Sequence, residues 1–122
     1  MKNFLLTTEN NNNQFPSFDH ALKDPIENDI QVLQGTKIVF VEGNYLLLPE
    51  HDWKEVRAVL DFVYFIEIDL SIAKERLARR HMQAWDWSYE KAMERVNEND
   101  YLNMVLIQRT SEFADKIIIG RG

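Results

Sequence analysis

A chain of 122 residues, 45% apolar, has room for one small domain with a core of its own. Its net charge of −6 argues against a nucleic-acid partner, which demands clustered Lys and Arg. With no cysteine there is no disulfide framework, thiolate nucleophile or zinc-thiolate site. The three histidines, His20, His51 and His81, show no metal-ligand spacing. No apolar stretch reaches the roughly 18 residues of a membrane span, and MKNFLLTT is too short in apolar residues for a signal peptide. A soluble, cytoplasmic protein is the default expectation.

In chain order, residues 1–14 end in the polar tract Glu9-Asn10-Asn11-Asn12-Asn13-Gln14, which predicts a flexible segment. The body of the chain, 15–122, reads as a single unit. In residues 15–29, Pro16 and Pro25 push their predecessors towards extended geometry, with room for one helical turn at Phe18–Leu22. Ile30–Leu33 is a short strand candidate, and Gln34-Gly35 a turn. The next stretch organises the rest. Ile38-Val39-Phe40-Val41 is a continuous β-branched and aromatic run, which predicts a strand buried on both faces. It stops at Glu42-Gly43-Asn44, and open α/β sheets place their ligands at such carboxyl ends.

Beyond Pro49 a helix is predicted, with Asp52 as its N-cap and Trp53, Val56 and Leu60 on one face. Residues 62–68 read as a central strand ending at Asp69. Asp69 or Ser71 caps a helix from Ile72 to about His81, with Arg76, Arg79 and Arg80 towards its end. Trp85-Asp86-Trp87 breaks the pattern, and Ser88 caps a long helix to about Phe113, with Ala92, Val96, Leu102, Val105 and Leu106 as its buried stripe. Arg95, Asn99, Asp100 and Asn103 read as the polar face of that helix. Lys116–Ile119 is the last strand. The alternation predicts an α/β fold with a parallel sheet. Three parallel strands make a thin sheet with uncovered apolar edges, so a partner chain covering an edge is expected.

Four segments occur in order: Phe15-Pro16-Ser17-Phe18-Asp19-His20, Val41-Glu42-Gly43-Asn44-Tyr45, Arg76-Leu77-Ala78-Arg79-Arg80-His81 and Ala114-Asp115-Lys116-Ile117-Ile118-Ile119. Together they resemble the carboxy-terminal half of the uridine kinase, phosphoribulokinase and pantothenate kinase family of P-loop small-molecule kinases, especially its uridine kinase-like members. The resemblance implies part of a three-layer α/β/α P-loop NTPase fold. It implies ATP and Mg²⁺ as cofactors and a nucleoside, sugar or vitamin-like hydroxyl as phosphate acceptor. Carried residue by residue, it makes Glu42 the catalytic acid that helps hold Mg²⁺, and Arg76, Arg79 and Arg80 ATP-phosphate ligands. Phe18, Asp19, His20, Asn44 and Tyr45 become the substrate side. Each chemistry is sound: a carboxylate is a hard oxygen ligand, and a guanidinium fork matches phosphate oxygens. Each position also has a plainer reading, as a solvated Glu, a basic face paired with Glu75, or a loop aromatic.

The departures from that family are as informative. The sequence contains no G-x-x-x-x-G-K-[ST]; its glycines are Gly35, Gly43, Gly120 and Gly122. The phosphate cradle and its lysine are therefore not encoded in it. The family's upstream catalytic aspartate and the Arg-Gly-Arg of the uridine kinase lid have no counterpart either. The expected activity of this chain alone is nil. It reads as a fragment of an ATP-dependent kinase, an incomplete chain or a half-domain completed by another chain. The rival reading is a non-catalytic interaction or regulatory module derived from such a kinase.

Overall fold

The structure, a computed structural model, describes residues 13–19 and 24–121, with side chains from residue 31 onward. The chain divides into two compact units, Met1–Gly43 and Asn44–Gly122. In the first, β1 (Asn13–Asp19) and β2 (Asp24–Val32) form an antiparallel hairpin. Its register slips between Phe15 and Ser17. Pro16 sits in that irregularity, where a residue without an N–H costs the ladder nothing. The helical turn expected at Phe18–Leu22 is thus not formed at Phe18 and Asp19, which are extended in β1; residues 20–23 lie outside the described set, as do residues 1–12 of the Asn-rich start. Gln34-Gly35 is the expected turn, with Gly35 at φ 89° and the Thr36 N–H donating to the Leu33 carbonyl at 3.2 Å.

The predicted buried strand at Ile38–Val41 is overturned. Residues 36–43 carry no strand geometry, and Phe40 is 92% exposed. Composition makes a buried strand only where neighbouring strands take its backbone hydrogen bonds, and among the described residues none pairs with this run.

The second unit opens with a turn at Asn44–Leu47 that buries Leu47 and Leu48. Helix α1 (His51–Ala58) follows. Its N-cap is Glu50, with no side-chain cap bond, so Asp52 lies in the first turn rather than at the cap. Strand β3 (Tyr64–Glu67) leads into α2 (Leu70–Trp85), which runs four residues past the predicted end at His81. It stops where Asp86 takes the left-handed conformation at φ 53°, a state Asp tolerates better than most residues. Ser88 caps α3 (Tyr89–Arg95) as predicted, accepting from the Lys91 N–H.

The long helix predicted to Phe113 is continuous but not uniform. A π-helical turn, Val96–Asp100, separates α3 from α4 (Tyr101–Arg109), and a 3-10 turn, Thr110–Phe113, ends the run. The π-turn inserts a residue into the helical phase. Ala92, before it, and Val96, its first residue, are fully buried, whereas Leu102 is 72% exposed and Leu106 also faces out. Met104 packs towards the core instead, with Leu77, Met82 and Met93 around Ala78, Ala92 and Val96. The predicted stripe therefore holds up to Val96 and fails at Leu102 and Leu106.

Strand β4 (Lys116–Ile119) pairs with β3 in parallel, Tyr64 opposite Lys116 through Glu67 opposite Ile119. The α/β class and the parallel pairing expected from the sequence are present, as a two-stranded rather than a three-stranded sheet among the described residues. Tyr64, Ile66, Ile117, Ile118 and Ile119 remain exposed, so the sheet has an unclosed apolar edge. Among the described residues, no helix is long and apolar enough to cross a membrane.

Candidate functional site

Parallel pairing sends the carboxyl ends of β3 and β4 the same way, and the chain after each strand forms the rim of a cleft. The cleft, about 410 Å³, is lined by Glu67, Ile68, Asp69, Leu70, Ile72, Gln108, Ile119 and Gly120. This is where an open α/β sheet is built to take a ligand. The floor is fixed by a 2.7 Å bond from the Gly120 N–H to the Glu67 carbonyl.

Helix α2 starts at this rim. Asp69 caps it, accepting 2.8 Å from the Ser71 N–H and also from the Ser71 hydroxyl. The hydroxyl first, then the N–H, holds the Asp69 carboxyl below its ordinary value. A depressed carboxylate pKa means the cap is complete above the ordinary Asp range and is lost as pH falls through the lowered value. Asp69→Asn should therefore flatten the acid limb of helix loss followed by far-ultraviolet circular dichroism, with little change at neutral pH.

The three candidate phosphate-binding arginines all lie on α2 and are exposed. Arg76 donates to the Arg121 carbonyl at 2.9 Å, just beyond β4. Arg79 pairs with Glu75 at 2.8 Å, and Glu75 also accepts from the Tyr89 hydroxyl at 2.9 Å. The Arg79 bond, then the Tyr89 bond, holds the Glu75 carboxyl low, and Glu75 in turn pushes the Tyr89 phenol up. Arg80 makes no hydrogen bond or ion pair among the described residues. Arg79 is thus engaged locally, and Arg80 has its guanidinium open to solvent.

The remaining candidates are spread along the chain. Glu42 is exposed, in the irregular segment of the first unit. Asn44 is exposed and Tyr45 half-buried in the turn that opens the second, with the Tyr45 ring 6.0 Å from Trp53. Phe18 and Asp19 occupy β1, opposite Pro25 and Asp24, and His20 lies outside the described residues. Among the described residues, no three His, Cys, Asp or Glu side chains converge as a metal site.

One cluster escaped the sequence reading. Asp100, on the helix's predicted polar face, accepts 2.9 Å from His81 Nε2. The His81 ring stacks on Trp85 at 4.6 Å, and Trp85 meets Trp87 at 4.7 Å. Lys91 lies 4.4 Å over the Trp87 ring. The signal in the sequence was a His and an Asp 19 residues apart on two helices joined by a short break. Spacing alone cannot tell that these faces meet.

No family model matches the chain. It is 34% identical over 104 residues to a candidate uridine kinase of Schizosaccharomyces pombe, covering 84% of this chain and 44% of the relative. Among solved structures it resembles YFH7 from Saccharomyces cerevisiae, described as a candidate P-loop-containing kinase with a circular permutation. The TM-score is 0.73 at 34% identity, over 89% of this chain and 35% of that one. A candidate fructose transport system kinase from Silicibacter sp. TM1040 gives a TM-score of 0.74 at 26% identity, over 84% of this chain and 50% of that one. The chain spans about half the length, or less, of the curated relatives it matches.

Proposed function

Because the chain matches the P-loop kinase family related to uridine kinase and YFH7, we propose that it supplies one part of an ATP-dependent phosphotransfer site. Its β3–α2–β4 unit matches a partial P-loop NTPase architecture. The reaction is transfer of a γ-phosphoryl group to a hydroxyl of a small molecule, a nucleoside, sugar or vitamin-like compound. The observation that carries this reading is Arg76 of α2, whose guanidinium reaches the Arg121 carbonyl next to Gly120 at the rim of the carboxyl-end cleft.

The residues present fit part of a MgATP site. Exposed guanidinium groups suit phosphate oxygens, and Arg80 is open to take one. Glu42 has the right chemistry for Mg²⁺, which takes one or two protein carboxylates and draws its other ligands from phosphate and water. The cleft is of a size for the nucleoside end of the nucleotide. The family resemblance assigns Asn44 and Tyr45 of the second unit, and separately Phe18, Asp19 and His20 of the first, to acceptor binding. The sequence encodes no phosphate-cradling loop, so this chain alone does not turn over ATP. A complementary chain carrying that loop would also cover the apolar sheet edge.

The test pairs this chain with the P-loop-bearing segment of its Saccharomyces cerevisiae relative YFH7. Transfer of labelled phosphate to uridine, fructose and pantothenate is then measured. Transfer is expected from the pair and from neither part alone, and Glu42→Gln should lower it about tenfold. Full activity in Glu42→Gln would remove that residue from the metal site. Failure of the pair with every acceptor, while the two chains still associate, would favour a non-catalytic interaction module.

A further inference from the structure

The π-turn faces α2 with two side chains, and each holds a partner there. Asn97 Oδ1 accepts from Lys74 Nζ at 2.9 Å, and Asp100 Oδ2 accepts from His81 Nε2 at 2.9 Å. Lys74 and His81 are seven residues apart, two turns of one helix, and so share a face. Lys74 is also seated over the Tyr101 ring, at 4.1 Å. The clamp therefore grips α2 near both ends of its arginine-bearing stretch.

The arginines lie on the opposite side. At about 100° per residue, Arg76, Arg79 and Arg80 fall roughly 140–240° round the helix from Lys74. Ala78, fully buried, and Leu77 and Met82, partly buried, lie on the clamped side, against α3 and the π-turn. The same phase shift that turns Leu106 outward accompanies this contact. Helix irregularities of this type recur at functional sites, where they re-aim side chains.

We infer that Asp100 is a positioning residue: through His81, and with Asn97 on Lys74, it fixes the rotation of α2 and so the direction in which Arg76 and Arg80 are presented. The inference rests on the phosphate-binding reading for its purpose, but not for its geometry. His81 is then a packed contact rather than a surface residue. Its side chain is only 12% exposed, sandwiched between the Asp100 carboxylate and the Trp85 ring.

Backbone amide exchange, read by mass spectrometry on the full chain, tests the clamp. In Asp100→Ala, amides of residues 76–85 should exchange at least about tenfold faster, with α1 and β3 unchanged. Asp100→Asn keeps an acceptor oxygen for Nε2–H and should stay within about twofold of the parent. Unchanged exchange in Asp100→Ala overturns the proposal. So does equal acceleration in both variants, or acceleration throughout the chain, which would mark Asp100 as a general stability residue. Titration with inorganic tripolyphosphate addresses the purpose. Its affinity should fall about fivefold in Asp100→Ala and hold in Asp100→Asn. If Arg80→Ala leaves tripolyphosphate binding unchanged, the phosphate reading fails, and the exchange pattern still decides the clamp.

Discussion

Gly120→Val is expected to destabilise the second unit by about 3 kcal/mol, and Gly120→Ala by about 2 kcal/mol, as overpacking of a filled site. A Cβ at this position would stand 2.7 Å from Ile68 Cγ1, 3.2 Å from the Glu67 carbonyl oxygen and 3.2 Å from Ile66 Cγ2. Two of these neighbours are β-branched and stiff at χ1, and the third is backbone, so none can move aside cheaply. The Gly120 N–H also donates to that same carbonyl at 2.7 Å, which holds the two chain segments together. Relief would come only by parting β3 from β4 at their carboxyl ends, where the cleft is. Urea midpoints should fall in the order parent, alanine, valine at constant slope. Equal midpoints for parent and valine would show that the close approach is not maintained in solution.

Asp115→Ala is expected to lower stability by about 2 kcal/mol, within the range for hydrogen bonds to a charged group. One carboxylate oxygen of Asp115 accepts from the Val63 N–H at 2.7 Å and from Arg57 at 2.8 Å. The Asp115 N–H returns a bond to the Val63 carbonyl at 2.9 Å. Arg57 meanwhile donates to the Leu60 carbonyl at 3.0 Å, so a single side chain joins the end of α1, the approach to β3 and the start of β4. The Arg57 and Asp115 side chains are about a third exposed, at 30% and 34%. Screening therefore keeps the ion-pair share small, and most of the loss is the unmet Val63 N–H. Asp115→Asn keeps an acceptor and should recover roughly half of the loss. Thermal unfolding would check this, with Arg57→Met expected to cost less than Asp115→Ala.

What could be read from the sequence was what depends on local chemistry. Asp69 and Ser88 cap their helices because a short oxygen-bearing side chain before a helix meets the first free N–H groups, whatever the rest of the chain does. The parallel pairing of 64–67 with 116–119 was legible because two short β-branched runs flank a helical stretch too long for a hairpin. Ile38–Val41 failed for the opposite reason. Its composition states what environment would suit it, not whether that environment is at hand. Leu106 failed because a period-3.6 pattern assumes an unbroken helix, and one inserted residue in the π-turn moves every later side chain; Leu102 stands roughly 100° off the Ala92–Val96 face even without it. The arginines of α2 could be put on one face by counting. That Arg79 is held by Glu75 while Arg80 is open could not, because i,i+4 partners exist on paper for many charges.

The pairing of β3 with β4 has a consequence for the order in which the molecule assembles. Helices α2, α3 and α4 are built from contacts close in sequence, and such contacts form early. The two strands are brought together only after that whole segment has been traversed, and the Asp115–Val63 bond closes a separation of 52 residues. The helical part is thus expected to be in place before the sheet is. The cleft at the strand ends then appears last, and is the first feature lost when the fold is strained.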